Sequence, residues 1–71
     1  MLIDGIKMNI DKKLGIITED EARYYLNFAK EKAGDKEITL VTVTLEDNDQ
    51  VEVKFEIDGG PKFERIRRIT G

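Results

Sequence analysis

The sequence contains no Cys and no His among its 71 residues. Disulfides are therefore excluded, and so are metal sites built from thiolate or imidazole ligands. Catalysis by a nucleophilic Cys or by a His general base is excluded for the same reason. Any chemistry of this chain alone must use carboxylates, Lys, Tyr, Thr or a backbone atom. The absence of Cys is compatible with a reducing cytoplasm.

Long hydrophobic runs are also absent. No apolar stretch approaches the roughly 20 residues that a membrane-spanning helix needs. The start, MLIDGIKMN, lacks the basic region and the continuous apolar run of a signal peptide. We therefore expect a cytoplasmic protein with no membrane partner. A chain of this length has room for one hydrophobic core, so we predict a single domain over residues 1–71.

Positive charge is concentrated at the C-terminal end. Residues 62–71 carry four cations and one acid: Lys62, Arg65, Arg67, Arg68 and Glu64. That segment has a net charge of +3, so the remainder must carry −6 to give the total of −3. A basic run on an acidic body can bind an anionic partner, and these four cations are the candidate ligand- or partner-binding residues. We do not expect nucleic-acid binding, because the rest of the chain is acidic.

The stretch Ile38–Ile57 predicts two β-strands joined by a turn. Residues 51–57 alternate apolar and charged side chains, which is typical of a strand with one buried face. Residues 37–45 are partly apolar on both faces, which favours a central strand covered on both sides. The acidic and amide residues at 46–49 predict the turn. Their spacing is not that of a calcium loop, and we predict no metal site.

Thr18-Glu19-Asp20-Glu21 predicts the start of a helix, with Thr18 as its N-cap. Thr18 and Glu21 have the spacing of a capping box, in which each side chain accepts a backbone N–H bond. Three acids also face the positive end of the helix dipole. Gly34 provides the stop, so we predict a helix over 19–33 that covers the apolar face of residues 51–57.

Two segments fit both a helix and a strand. In residues 4–14, positions 6, 8 and 10 alternate as in a strand, whereas positions 6, 10 and 14 recur as on a helix face. Asp4 as N-cap and Gly15 as C-terminal stop favour a short helix over 4–14, with a strand as the alternative. After Pro61, periodicity slightly favours a helix over a third strand.

The predicted architecture is therefore α+β. It consists of a helical hairpin or strand–helix unit, an antiparallel β-hairpin, and a short C-terminal helix or strand. The predicted core residues are Ile6, Ile10, Leu14, Ile17, Leu26, Phe28, Leu40, Val41, Val43, Val51, Val53, Phe55, Ile57, Phe63 and Ile66.

The end of the chain resembles a known family. Arg68-Ile69-Thr70-Gly71 resembles the R-[VI]-x-G core of the glycyl-radical motif. The run from Phe63 to Gly71 is similar to the tail of anaerobic ribonucleoside-triphosphate reductases and of small proteins related to them. The resemblance implies that Gly71 is the radical position, at which a radical-SAM activase would form a backbone radical. The family's zinc cysteines, active-site cysteine and barrel are absent, so the chain is not a complete reductase.

Three functional hypotheses follow, and none requires a bound cofactor. The first is a non-catalytic accessory or interaction domain related to anaerobic ribonucleotide reductase, with the reductase or its activase as partner. The second is a stand-alone glycyl-radical cofactor protein that uses Gly71. The third is a small binding module whose basic run holds an anionic ligand, because Arg side chains match phosphate oxygens in pairs.

Overall fold

Residues 1–68 form a five-stranded mixed sheet with one covering helix. The structure, a computed structural model, describes residues 1–68. The elements in chain order are β1 (Leu2–Ile3), β2 (Ile6–Ile10), a 3₁₀ helix (Lys12–Leu14), α1 (Glu19–Ala33), β3 (Ile38–Leu45), β4 (Gln50–Ile57) and β5 (Gly60–Arg67). The α+β class is confirmed, whereas the helical hairpin and the C-terminal helix are wrong because strands form in both places.

The strands lie in the sheet in chain order, from β1 to β5. β2 and β3 are parallel, so α1 forms the crossover between them. The other neighbouring strands are antiparallel. β3 and β4 pair from Ile38 opposite Ile57 to Leu45 opposite Val51. Both strands lie inside the five-stranded sheet, flanked by β2 and β5. The predicted hairpin is therefore part of a larger sheet.

A tight turn explains why the helix expected over 4–14 does not form. Asp4 and Gly5 both have positive φ, 52° and 80°, and Ile3 lies opposite Ile6 across them. Positive φ at both central residues is the property of a type I′ hairpin turn, for which Asp-Gly is a preferred pair. Asp4 therefore turns the chain and caps no helix. The residues after the turn form β2, which gains backbone hydrogen bonds from both neighbouring strands.

Helix α1 confirms the range predicted for it, 19–33. The Oγ1 atom of Thr18 accepts a hydrogen bond from the backbone N–H of Glu21 at 3.1 Å. Gly34 ends the helix with φ 68°, a conformation that glycine adopts without steric cost. The side chains that α1 buries are Ala22, Tyr25, Leu26, Ala29 and Ala33. The small alanines let the helix lie close to the sheet.

The core lies between α1 and one face of the sheet. The fully buried strand residues are Met8, Val41, Val43, Val51, Val53 and Phe55. Most of the predicted core residues are either buried or partly buried and packed against the buried ones. Leu14, Ile17 and Leu26 are among the buried residues. Sequence reasoning missed Ile3, Met8, Tyr25 and Ile38, which are also buried.

Two predicted core positions are wrong, and both face away from α1. Phe63 is 54% exposed. Leu40 shares its face of β3 with Thr42 and Thr44, and all three keep intermediate exposure. The expectation that this strand is covered on both sides is therefore wrong, because α1 covers only one face of the sheet.

Candidate functional site

The predicted basic run lies on β5 and just after it. β5 pairs with β4 on one side and forms an edge of the sheet on the other. Asp58 and Gly59 make a two-residue turn, because Ile57 lies opposite Gly60. Pro61 is compatible with this strand because an edge position leaves one side without ladder hydrogen bonds.

The alternation of β5 divides the four cations between two faces. Residues opposite each other in an antiparallel pair share a face, and Lys62 lies opposite buried Phe55. Lys62 therefore points to the side of α1, as does Arg68. Arg65 and Arg67 point to the open face of the sheet. The structure thus brings Arg65 and Arg67 together and separates them from Lys62 and Arg68.

Arg68 is held by contacts within the protein. Its Nη2 donates a hydrogen bond to the backbone oxygen of Leu14 at 2.8 Å, and its Nε lies 3.4 Å from Oε2 of Glu21. The same carboxylate oxygen accepts a hydrogen bond from the hydroxyl of buried Tyr25 at 2.7 Å. The backbone N–H of Arg68 also bonds to the oxygen of Asp49 at 2.8 Å. Arg68 therefore ties the end of β5 to α1 and to the 3₁₀ helix.

Arg65 lies between two carboxylates but remains accessible. Its Nη2 is 3.8 Å from Oε1 of Glu46 and 3.8 Å from Oε2 of Glu52. The Arg65 side chain is 62% exposed. Solvent weakens ion pairs of this kind, which contribute about 0–1 kcal/mol each. A partner could therefore take over this guanidinium with little loss of internal stability.

Phe63 lies on the open face of the sheet, on the same strand as Arg65 and Arg67. We call Phe63, Arg65 and Arg67 the β5 row. The Nζ of Lys54 lies 5.7 Å from the centre of the Phe63 ring. Arg67 has no acidic partner within ion-pair distance among residues 1–68. A depression of about 220 Å³ beside Phe63 and Arg65 is smaller than the roughly 300–1,000 Å³ of typical ligand pockets.

Sequence reasoning assigned Phe63 to the core and so missed it as a surface residue. A helix in this region would place Phe63 on the same side as Ile66, which is why the periodicity misled. The signal that could have found it is Asp58-Gly59, since Asp-Gly between alternating segments is a strong hairpin signal. A strand after that turn places Phe63 with Arg65 and Arg67.

Two further acids, Asp4 and Asp11, are engaged in structural contacts. Nη1 of Arg23 lies 2.9 and 3.0 Å from the two oxygens of Asp4, and this hydrogen bonding lowers the pKa of Asp4. The backbone N–H groups of Lys13 and Leu45 bond to the two oxygens of Asp11 and lower its pKa. Within residues 1–68, no group of three acids is arranged to hold a metal ion.

The predicted radical position, Gly71, lies outside the described residues. That hypothesis stays a prediction, and EPR after anaerobic incubation with the activase tests it. The glycyl doublet is the expected signal, and its absence would remove the hypothesis.

Comparisons with known proteins provide no relative. No protein-family model matches the chain, and neither a curated protein nor a solved structure is significantly similar to it. The relation to the reductase family therefore stays a prediction from the C-terminal run. In the part of the chain that the structure describes, no helix is both long and apolar enough to cross a membrane.

Proposed function

We propose that this protein is a small non-catalytic interaction domain related to anaerobic ribonucleotide reductase. Its partner is the reductase or its activase, and its contact surface is the β5 row. We propose a cytoplasmic location for this role. The absence of Cys is compatible with the reducing conditions of the cytoplasm. The single observation that carries the proposal is the exposed aromatic and two arginines side by side on an edge strand.

The chemistry of the β5 row suits a protein contact. Aromatic residues and Arg are enriched at protein interfaces and among the residues that dominate binding energy. Phe63 is more than half exposed, so its ring is available to a partner. The row lies on a strand that pairs with β4 over all eight residues, which fixes the backbone positions from which the three side chains extend.

Binding to the purified reductase and the purified activase tests the proposal. The variant R65A/R67A removes two cations from the β5 row, and K12A/K13A removes two exposed cations from the 3₁₀ helix as a matched control. We expect R65A/R67A to raise Kd at least tenfold, about 1.4 kcal/mol, and the control to change it less than twofold. Failure of the unmodified protein to bind either partner would contradict the proposal, as would equal losses in the two variants.

A second candidate, a module for an anionic ligand, has one specific observation in its favour. Arg65 and Arg67 are two residues apart on one face, about 7 Å along the strand, and Arg67 has no acidic partner among residues 1–68. Calorimetric titration with inorganic pyrophosphate tests this function. We expect binding that R65A/R67A abolishes, and binding that survives in R65A/R67A would rule out this site.

A further inference from the structure

Within residues 1–68, the outer edge of β5 is regular and uncovered. β5 pairs with β4 without interruption from Gly60 to Arg67, whereas the opposite edge of the sheet is the two-residue strand β1. Helix α1 packs against β1, β3 and β4, so β5 extends beyond the helix. A regular, accessible edge strand presents unpaired backbone groups that can pair with another strand.

The register shows which backbone groups face outward. The N–H of Arg68 bonds inward to the oxygen of Asp49. Antiparallel strands alternate between residues whose N–H and C=O point to one neighbour and residues that point to the other. The N–H and C=O groups of Phe63, Arg65 and Arg67 therefore point outward. Pro61 also faces outward, where its missing N–H removes no bond to β4.

We propose that β5 pairs antiparallel with β5 of a second copy of this chain, in a register centred on Phe63. This inference goes beyond the proposed interaction function and concerns the same strand, which carries the β5 row. In this register Phe63 lies opposite Phe63, and Lys62 lies opposite Glu64 twice. Aromatic pairs and opposite charges across strands both stabilise a sheet.

Charge complementarity selects this register among its neighbours. Centring the pair on Lys62, Glu64 or Arg65 would place two like charges directly opposite each other, which destabilises strand pairing. The register centred on Phe63 places Arg65 opposite Pro61 and no like charges opposite each other. Four backbone hydrogen bonds form, two between the Phe63 residues and two from Arg65 N–H to Pro61 oxygen.

The helices leave room for this pairing. A two-fold axis perpendicular to the sheet places both copies of α1 on the same face. Because α1 lies over β3 and β4, its axis is about two strand spacings from the dyad, so the two helices are roughly 19 Å apart. A helix with side chains is about 10–12 Å wide, so the copies do not collide. The Lys62–Glu64 pairs lie in the space between them.

Pairing also places two copies of the β5 row on one face. Phe63, Arg65 and Arg67 of both copies then form one continuous surface. A partner with two acidic contact points would bind this surface more tightly than it binds a single copy.

Sedimentation of the full chain over a concentration series tests the pairing. We expect a dimer of twice 8.1 kDa. K62E and E64K each place like charges opposite each other twice, and each should raise the dimer dissociation constant at least tenfold. K62E/E64K restores complementary pairs and should restore dimerisation. E31K reverses an exposed helix charge and should have no effect. Circular dichroism verifies that each variant is folded.

Single cysteines test the register, since the chain has no other thiol. In F63C the two Cα atoms lie about 5.5 Å apart, which is within the range for a disulfide. In R65C they lie about 14 Å apart, from an offset of four residues along the strand and one strand spacing across it, which is too far. We expect F63C to form a covalent dimer under mild oxidation and R65C to stay monomeric under denaturing conditions.

The outcomes separate this inference from the proposed function. A protein that is monomeric at every concentration overturns the inference, as does R65C cross-linking as readily as F63C. If such a monomer still binds the reductase through Arg65 and Arg67, the proposed function stands. A dimer with restored pairing in K62E/E64K supports the inference whether or not the reductase binds.

Discussion

Replacement of Arg68 provides a sharp test of how the C-terminal end is held. Arg68 and Arg67 are adjacent cations with different surroundings. The Arg68 side chain is 25% exposed and bonds to Leu14 and Glu21, whereas Arg67 is exposed and has no acidic partner among residues 1–68. We expect R68A to destabilise the protein strongly and R67A to leave the free energy of unfolding nearly unchanged.

The magnitude follows from the contacts that are lost. A hydrogen bond from a charged donor contributes about 1.5–3 kcal/mol. Removing Arg68 breaks such a bond to Leu14 and leaves Glu21, 11% exposed, with the Tyr25 hydroxyl as its remaining hydrogen-bond donor among residues 1–68. We expect a loss of about 2–3 kcal/mol. The whole domain should have roughly 4–11 kcal/mol of stability. A change below about 0.5 kcal/mol is expected for R67A.

Urea denaturation at pH 7 and one protein concentration, followed by circular dichroism, measures these differences. R68M retains the aliphatic packing of the side chain and loses its charge, so it should lie between R67A and R68A. Combining R68M with E21Q gives a double-mutant cycle, in which we expect a coupling of at least about 0.5 kcal/mol. An R68A protein as stable as R67A would refute the reasoning and would return Arg68 to the candidate binding residues.

Three further predictions concern the core, the helix cap and pH. F55A should cost about 3–5 kcal/mol because Phe55 is fully buried, whereas F63A should cost less than about 1 kcal/mol, as measured by the same urea titration. T18A removes the N-cap of α1 and should cost about 1 kcal/mol, seen as a lower Tm. The pKa values of Asp4 and Asp11 are lowered in the folded state. The two carboxylates therefore stabilise the fold fully when the pH is above their pKa in the unfolded chain. This contribution is lost as the pH falls through their pKa in the folded state. The urea midpoint of D11N should therefore fall less steeply than that of the unmodified protein below about pH 4.

Self-pairing at the β5 edge would change how these stabilities are measured. A protein that associates only when folded becomes more stable as its concentration rises. Variants that disrupt the Lys62–Glu64 pairs should lose this concentration dependence while keeping the stability of the single chain. Variants of Arg68 therefore report on contacts within one copy, and variants of Lys62 or Glu64 report on contacts between copies.

The candidate site was only partly predictable. The basic residues could be found from charge alone, because all four follow Pro61. Their division between two faces could not be found, because it depends on whether the segment is a helix or a strand. The prediction that Phe63 is a core residue is wrong for the same reason. Pairing with β4 along eight residues selects the strand over the helix, because it satisfies the backbone N–H and C=O groups of the segment. The periodicity of the side chains contains no information about these backbone groups.

Local sequence determined helix α1 and the alternation of β4. The Thr18 cap, the acidic first turn and Gly34 act within a few residues of each helix end, so no distant contact is needed to place them. The alternation in β4 likewise defines a buried and an exposed face for a strand. The tertiary structure decided the two ambiguous segments. β2 forms because it pairs with β3, which lies about thirty residues further along the chain, and β5 forms because β4 offers it an edge. These choices depend on long-range hydrogen bonds, which a local pattern of side chains does not contain.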